Sequence, residues 1–251
     1  MFKFKKVDAF ILMVVFSIFH IQIFSQEIQI DHVISVVSDI DKAINYYSEK
    51  GFTIKKGRLH KNGLINGHIK FKNKTSFELM SIKGEATDKM SKDYEELLNN
   101  GEGGVYVAIS GINTGVMEMK LTYLKISYNT IKGQNWNYIT FPKSSSLAHF
   151  FFIESNIVVN DSIDILTHKN KSEKIQAIWI EGDDYVEYFL KGIGLKSAGI
   201  ISDIDLGDGE RFLTCTGDII IIPRKSLNER PRIKSVSFEK DDNIESVKIK
   251  F

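Results

Sequence analysis

The chain is poor in cysteine, proline and net charge, and each shortage removes a class of protein. Cys215 is the single cysteine of 251 residues, so no disulfide can form within the chain and a packed core must hold the fold. Its surroundings, Phe-Leu-Thr-Cys-Thr-Gly, read as a strand with Cys215 as a small buried apolar residue, and no neighbouring base would activate a thiolate. Three prolines are too few for a proline-rich linker. Lys and Arg number 33 against 32 Asp and Glu, a net charge of +1, with no basic stripe interleaved with aromatics. A nucleic-acid partner would therefore lack its electrostatic footprint. Long apolar runs are also missing. Ala9–Phe19 follows Lys3, Lys5 and Lys6 and is shorter than the ~20 residues that span a bilayer. It reads as a secretory signal peptide over 1–25, with cleavage after Ile23-Phe24-Ser25. That places the mature protein in the periplasm or outside the cell. The rival reading is an uncleaved N-terminal anchor, the chain's one contact with a membrane.

What is present is a repeated order of elements. Ile28–Val37 is β-branched and reads as a strand. Ser38 and Asp41 form a capping pattern before a helix whose stripe is Ile40, Ala43, Ile44 and Tyr47, with Gly51 at its end. Phe52–Leu59, Leu64–Phe71 and Thr75–Ile82 follow as strands, giving β-α-β-β-β. Lys174–Ile180, a helix over Asp183–Ile193, Ser197–Ile204, Glu210–Thr216 and Asp218–Pro223 repeat that order, with Val186, Phe189, Leu190 and Ile193 as the helical stripe and Gly194 in the role of Gly51. A third copy runs from Gly104–Ser110 through a helix over 112–124 to strands at Leu124–Tyr128, Trp136–Phe141 and Leu147–Glu154. A helix over Asp88–Asn100 precedes it. Asn156–Asn170 reads as a connector, and residues 224–251 as a terminal hairpin.

Repeated βαβββ modules with these residues resemble the vicinal oxygen chelate superfamily, which includes glyoxalase I, extradiol dioxygenases and bleomycin-resistance proteins. Within it the chain is most similar to the glyoxalase-like domain group. The likeness rests on Asp31-His32 in the first strand, Gly51-Phe52 after the helix, His60, Gly63-Leu64-Ile65-Asn66, and Phe77-Glu78-Leu79 in the fourth strand. Leu166-Thr167-His168-Lys169-Asn170 resembles the group's H-P-N stretch. The sequence departs from the group's pattern at Leu64, where a threonine is expected, and at Lys169, where a proline is expected. The resemblance implies an α+β fold over 28–223, with modules at about 28–83, 103–155 and 174–223 forming curved mixed sheets around a cup. It also implies that His32 and Glu78 are metal ligands for a divalent ion (Zn, Fe, Mn or Ni), that both act in catalysis, and that His60 and Asn66 bind substrate.

By strand alternation His32 shares a face with Ile30, Ile34 and Val36, and Glu78 shares one with Met80 and Ile82. An ionisable group on an apolar face must be paired or do chemistry. Asn66, His68 and Lys70 alternate together, which reads as a solvent-facing row. A catalytic metal needs more than two protein ligands. The C-terminal module offers only Ala177, Ile178 and Ile220–Ile222 at the corresponding places, and the middle module adds at most one of His149 and Glu154. Two functions follow as expectations. One is an exported protein binding a small oxygenated molecule, acting as a metal-dependent isomerase, lyase or dioxygenase. The other is a non-catalytic module that sequesters its ligand.

Overall fold

The computed structural model describes residues 27–158, 160–224, 233–240 and 247–250. The signal-peptide expectation lies outside them. The first module is β1 (Gln29–Val36), α1 (Ile40–Glu49), β2 (Lys55–Lys56), β3 (Leu64–Lys70) and β4 (Ser76–Ile82). Helix α2 (Lys89–Asn99) leads to the second: β5 (Gly103–Ser110), α3 (Thr114–Tyr123), β6 (Asn129–Lys132), β7 (Trp136–Thr140) and β8 (Phe150–Ser155). The connector carries a one-turn helix, α4 (Ile163–Leu166). The third module is β9 (Ser172–Gly182), α5 (Asp184–Ile193), β10 (Lys196–Asp203), β11 (Gly207–Leu213) and β12 (Asp218–Pro223), followed by β13 (Ile233–Lys240) and β14 (Val247–Lys250). The fold is α+β, and all strands belong to one mixed sheet.

The modules join through their first strands. β1 runs antiparallel to β5, so the order β2-β3-β4-β1-β5-β8-β7-β6 crosses the first two modules. In each, the first and fourth strands are parallel neighbours. The third repeats this with β9 and β12, and β9 pairs antiparallel with β13. The main core lies under helices α1, α3 and α5. All four residues of the expected α5 stripe are fully buried there, each contributing about 1.5–3 kcal/mol. A second, smaller cluster occupies the concave face of the first pair: Ile34, Val36, Leu64, Met80, Leu97 and Val105. Leu97 and the neighbouring Tyr94 and Leu98 come from α2, which closes one end of the cup.

Several local expectations differ from what is found. Asp39, not Ser38, caps α1 by accepting from the Lys42 N–H at 3.0 Å. The Ser38 N–H and hydroxyl turn instead to Glu102. The strand expected over Phe52–Leu59 shrinks to Lys55–Lys56, and β6 lies at Asn129–Lys132 rather than 124–128. Cys215 is exposed, in the β11–β12 turn, because β11 ends at Leu213 and the turn carries the thiol past the sheet.

The His168–Asn170 stretch is a staple on the first module. His168 Nδ1 accepts from the Thr53 N–H at 3.0 Å, so Nε2 carries the ring proton, and it donates to the Lys70 carbonyl at 3.1 Å. The ring sits between Phe52 and Phe71. Burial, and then the nearby Lys72 charge, hold its pKa below the ordinary value against the bond to Lys70. Asn170 reaches the Lys50 carbonyl at 3.0 Å, and its backbone N–H donates to the Gly51 carbonyl. Gly51 has φ +85°, and a Cβ there would lie 2.9 Å from Asn170 N, so glycine is required for both turn and contact. His168→Ala leaves two inward-facing backbone groups unpaired and is expected to lower stability by about 1–3 kcal/mol, read by urea unfolding. A loss near zero would mean that water replaces the imidazole.

Candidate functional site

The site starts from an irregularity in β1. Ile30 pairs with Ile109 and His32 with Ala108, so Asp31 is an extra residue, a β-bulge in the pairing with β5. The bulge reverses the phase of the strand. Ile28 and Ile30 face the main core, whereas Ile34 and Val36 face the cup. His32 therefore shares its face with Ile34 and Val36 but not with Ile30, a correction that simple alternation could not supply. Asp31 and His32 point the same way and meet: His32 Nδ1 donates to Asp31 Oδ1 at 2.6 Å.

Glu78 lies on β4 opposite Ile34, one pleat from His32. Its Oε2 is 3.7 Å from His32 Nε2, and its Oε1 is 3.8 Å from His68 Nε2. Both separations exceed hydrogen-bond range. Asn66 donates to Oε1 at 2.8 Å. Close packing holds Asn66 in place, since a Cβ on Gly57 would fall 1.7 Å from its Oδ1. Of the four residues expected at the site, His32, Glu78 and Asn66 come together. His60 stands apart from them. It lies in the turn before β3, where its N–H donates to the Leu64 carbonyl at 2.8 Å, at the end of β3 away from His68 and Lys70.

His68 is the main residue the sequence reading missed. The row Asn66, His68, Lys70 faces the cup, not solvent, and the His68 Nδ1 is buried without a hydrogen-bond partner. Burial dominates its titration. It pushes the pKa down to about 4; the Glu78 charge opposes this, and Lys70, His32 and Lys55 reinforce it. His32 behaves oppositely. Burial lowers its pKa, but the Asp31 hydrogen bond and charge, with Glu78, outweigh that and raise it. Asp31 is held below the usual carboxylate range, because its bonds to His32 and Ser110 and the His32 charge overcome burial. Two histidines of opposite habit thus flank one carboxylate.

The His68 shift gives a stability test. Its folded pKa, about 4, lies below the ordinary value of 6.5. Stability from keeping it neutral is complete above the unfolded value and is lost as pH falls toward about 4. Wild type should lose more stability between pH 7 and pH 4.5 than His68→Gln, which cannot titrate. Equal losses in the two proteins would show that His68 is not buried neutral.

The opposite wall is aromatic. β1 and β5 are both eight residues long, and Tyr106 is the fourth residue of β5 as His32 is of β1. Ala108, the counterpart of Ile34, pairs with Phe151 as Ile34 pairs with Glu78. Tyr106 and Phe151 therefore hold the places where the second module would repeat His32 and Glu78. Phe151 packs edge-on against His32 with centroids 5.6 Å apart, and against Tyr106 at 6.0 Å. Tyr138 on β7 tilts onto Phe151 at 6.3 Å. Burial, then the charges of Glu78 and Asp31, raise its pKa and keep the phenol protonated.

These residues do not assemble a metal centre. A phenylalanine ring carries no donor. Among the described residues no group of three His, Cys, Asp or Glu side chains converges to hold an ion. Glu154 is instead clamped to the start of α3, accepting from Asn113 Nδ2 at 2.8 Å and the Thr114 hydroxyl at 2.6 Å. His149 is buried against Phe150 with ring centroids 4.3 Å apart. A cleft of ≈ 440 Å³ lies elsewhere, at the end of β1 and the start of α1, and is lined by Ser35, Ser38, Lys42, Tyr46 and Glu102 among others.

A model of the glyoxalase-like domain matches residues 30–187, more than half of the chain and all of the cup. The chain belongs to the glyoxalase-like domain family. No curated protein sequence matches it. Among solved structures, this glyoxalase-like chain is similar to a hypothetical protein from Staphylococcus aureus, at TM-score 0.56 and 12% identity over 79% of this chain and 86% of that one. It is also similar to a xylose isomerase-like TIM barrel/4-hydroxyphenylpyruvate dioxygenase fusion protein, at TM-score 0.59 and 10% identity over 85% of this chain and 36% of that one. Methylmalonyl-CoA epimerase from Mycobacterium tuberculosis aligns at TM-score 0.40 and 19% identity over 51% of this chain and 88% of its own. At such identities the likeness to the first two is one of fold alone. Function has to be argued from the site.

Proposed function

We propose that the glyoxalase-like chain is an exported protein that binds a small oxygenated molecule in the cup of its first two modules, and that Glu78 and His32 move a proton on it. The reaction class is isomerisation at a carbon next to a carbonyl. The observation that carries this reading is the 3.7 Å gap between His32 Nε2 and Glu78 Oε2. It leaves a carboxylate oxygen and a raised-pKa imidazole side by side with neither committed to the other. A general base and a general acid in that relation can serve one ligand.

In this scheme Glu78 Oε2 removes the proton, while Asn66 holds Oε1 and fixes the carboxylate plane. His32, oriented by Asp31 and with its pKa raised by that carboxylate, donates to the carbonyl oxygen as charge develops there. Tyr106, Tyr138 and Phe151 take the ligand's apolar body and exclude water. No step runs through a metal ion. Export is supported by the basic start and short apolar run of residues 1–25. Among the described residues no helix is long and apolar enough to cross a membrane.

The second reading, a sequestering module, is favoured by the Asn66 hydrogen bond to Glu78, which engages one oxygen of the carboxylate and fixes it as a binding contact. One experiment separates the two. The purified protein is incubated in D2O with a panel of 2-oxo acids and hydroxyketones, and NMR follows both binding and deuterium incorporation beside the carbonyl. Exchange that depends on Glu78 supports proton transfer. Binding without exchange supports sequestration, and neither binding nor exchange sinks both readings.

A further inference from the structure

We propose that Thr216, in the β11–β12 turn of the third module, is a positioning residue for the Asp31–His32 pair: its hydroxyl holds the bulge that turns both side chains into the first cup. Ile30 sits just before the bulge, where one flank of β1 has no strand beside it, because the pairing with β4 begins only at His32 and Ser76. Thr216 takes the place of the missing strand. Its Oγ1 accepts from the Ile30 N–H at 2.8 Å and donates to the Ile30 carbonyl at 3.0 Å. The next residue back extends the contact, with the Cys215 N–H donating to the Ile28 carbonyl at 3.2 Å. The turn is tied to the first module from the other side as well, since Asn73 Nδ2 donates to the Thr216 carbonyl at 3.3 Å. Within the turn, Thr214 Oγ1 donates to the Gly217 carbonyl at 2.6 Å.

The consequence reaches the site because a bulge is a matter of register. Moving a strand by one residue exchanges its two faces. Without the extra residue at Asp31, Asp31 and His32 would lie on opposite sides, and one of the two would leave the cup. A hydroxyl that occupies both polar groups of Ile30 fixes the strand on the side of the irregularity where β4 gives no support. The third module, whose own concave face is lined by Ala177, Trp179, Ile220 and Ile222, thereby contributes to the first cup at a distance of two residues from His32. This inference rests on the proposed site only in taking His32 as the group positioned.

The test reads the Asp31–His32 hydrogen bond directly and needs no ligand, so it can fail while the functional reading stands, and the reverse. In the full chain at low temperature, the His32 Nδ1 proton bonded to Asp31 should give a downfield imidazole N–H resonance in the NMR spectrum. Its assignment is fixed by its absence in Asp31→Asn and His32→Gln. Thr216→Val, equal in shape but without the hydroxyl, is expected to lose that resonance, and Thr216→Ser to restore it. A Thr216→Val protein that keeps the resonance in place overturns the proposal, even if its stability falls, because the hydroxyl then only ties turn to strand. Should Thr216→Val fail to fold, Thr216→Ala, smaller and likewise without the hydroxyl, takes its place. A shifted or lost resonance there supports the proposal, and an unchanged one overturns it.

Discussion

Replacing Phe238 by alanine is expected to destabilise the protein by about 3–5 kcal/mol, the range for emptying a buried phenylalanine site. Phe238 lies on β13 and is fully buried. Its ring meets Phe52 at 5.2 Å, stacks on Phe71 at 5.4 Å and meets Phe77 edge-on at 5.9 Å. Those three belong to the first module, whereas β13 is hydrogen-bonded along β9 of the third. β13 also touches β5, through Ile233 and Gly104. The aromatic cluster is thus the joint between the two halves of the sheet, and the ring cannot be removed without opening a cavity at that joint. Urea unfolding checks the size of the effect. A loss under about 1 kcal/mol would show that β13 is a peripheral appendage.

Some of this was readable in the sequence, and some was not, for identifiable reasons. The α5 stripe was legible because helical spacing is a strong signal and all its members are large and apolar. His32 and Glu78 stood out as ionisable residues in apolar runs. Their surroundings were harder to read. Counting alternate residues along β1 placed Ile30 beside His32, and the bulge at Asp31 defeats that count, since an inserted residue leaves no mark in composition. The polar row Asn66, His68, Lys70 looked like a wetted surface. A period of two reveals that a strand has two faces but not which face is water, and in a cup the polar face is the interior. Glu154 offered a ligand's chemistry but serves as the clamp at the start of α3. Thr216 gave no sign at all, because its role depends on where β4 begins.

The largest functional effect is expected at Glu78. If the cup transfers protons, Glu78→Gln should slow solvent-deuterium exchange into a bound ligand by roughly 10²–10⁴-fold, the usual worth of a positioned general base. Glutamine keeps the size and can still meet Asn66, so binding should change far less than exchange. That split separates a chemical role from a structural one. Removing the charge also removes one of the influences that raise the His32 pKa, leaving Asp31 to act alone. The His32 midpoint should therefore fall in Glu78→Gln and fall further in Asp31→Asn, because only Asp31 adds a hydrogen bond to its charge. Asn66 bonds Oε1 alone, so Oε2 is left open on the side facing His32. Asn66→Leu would free Oε1 without touching Oε2. If it raises the rate of exchange, the Asn66 bond restrains the base; if it abolishes exchange, the bond is needed to aim Oε2 at the ligand. An unchanged rate in Glu78→Gln would remove proton transfer from this cup and leave it as a binding surface.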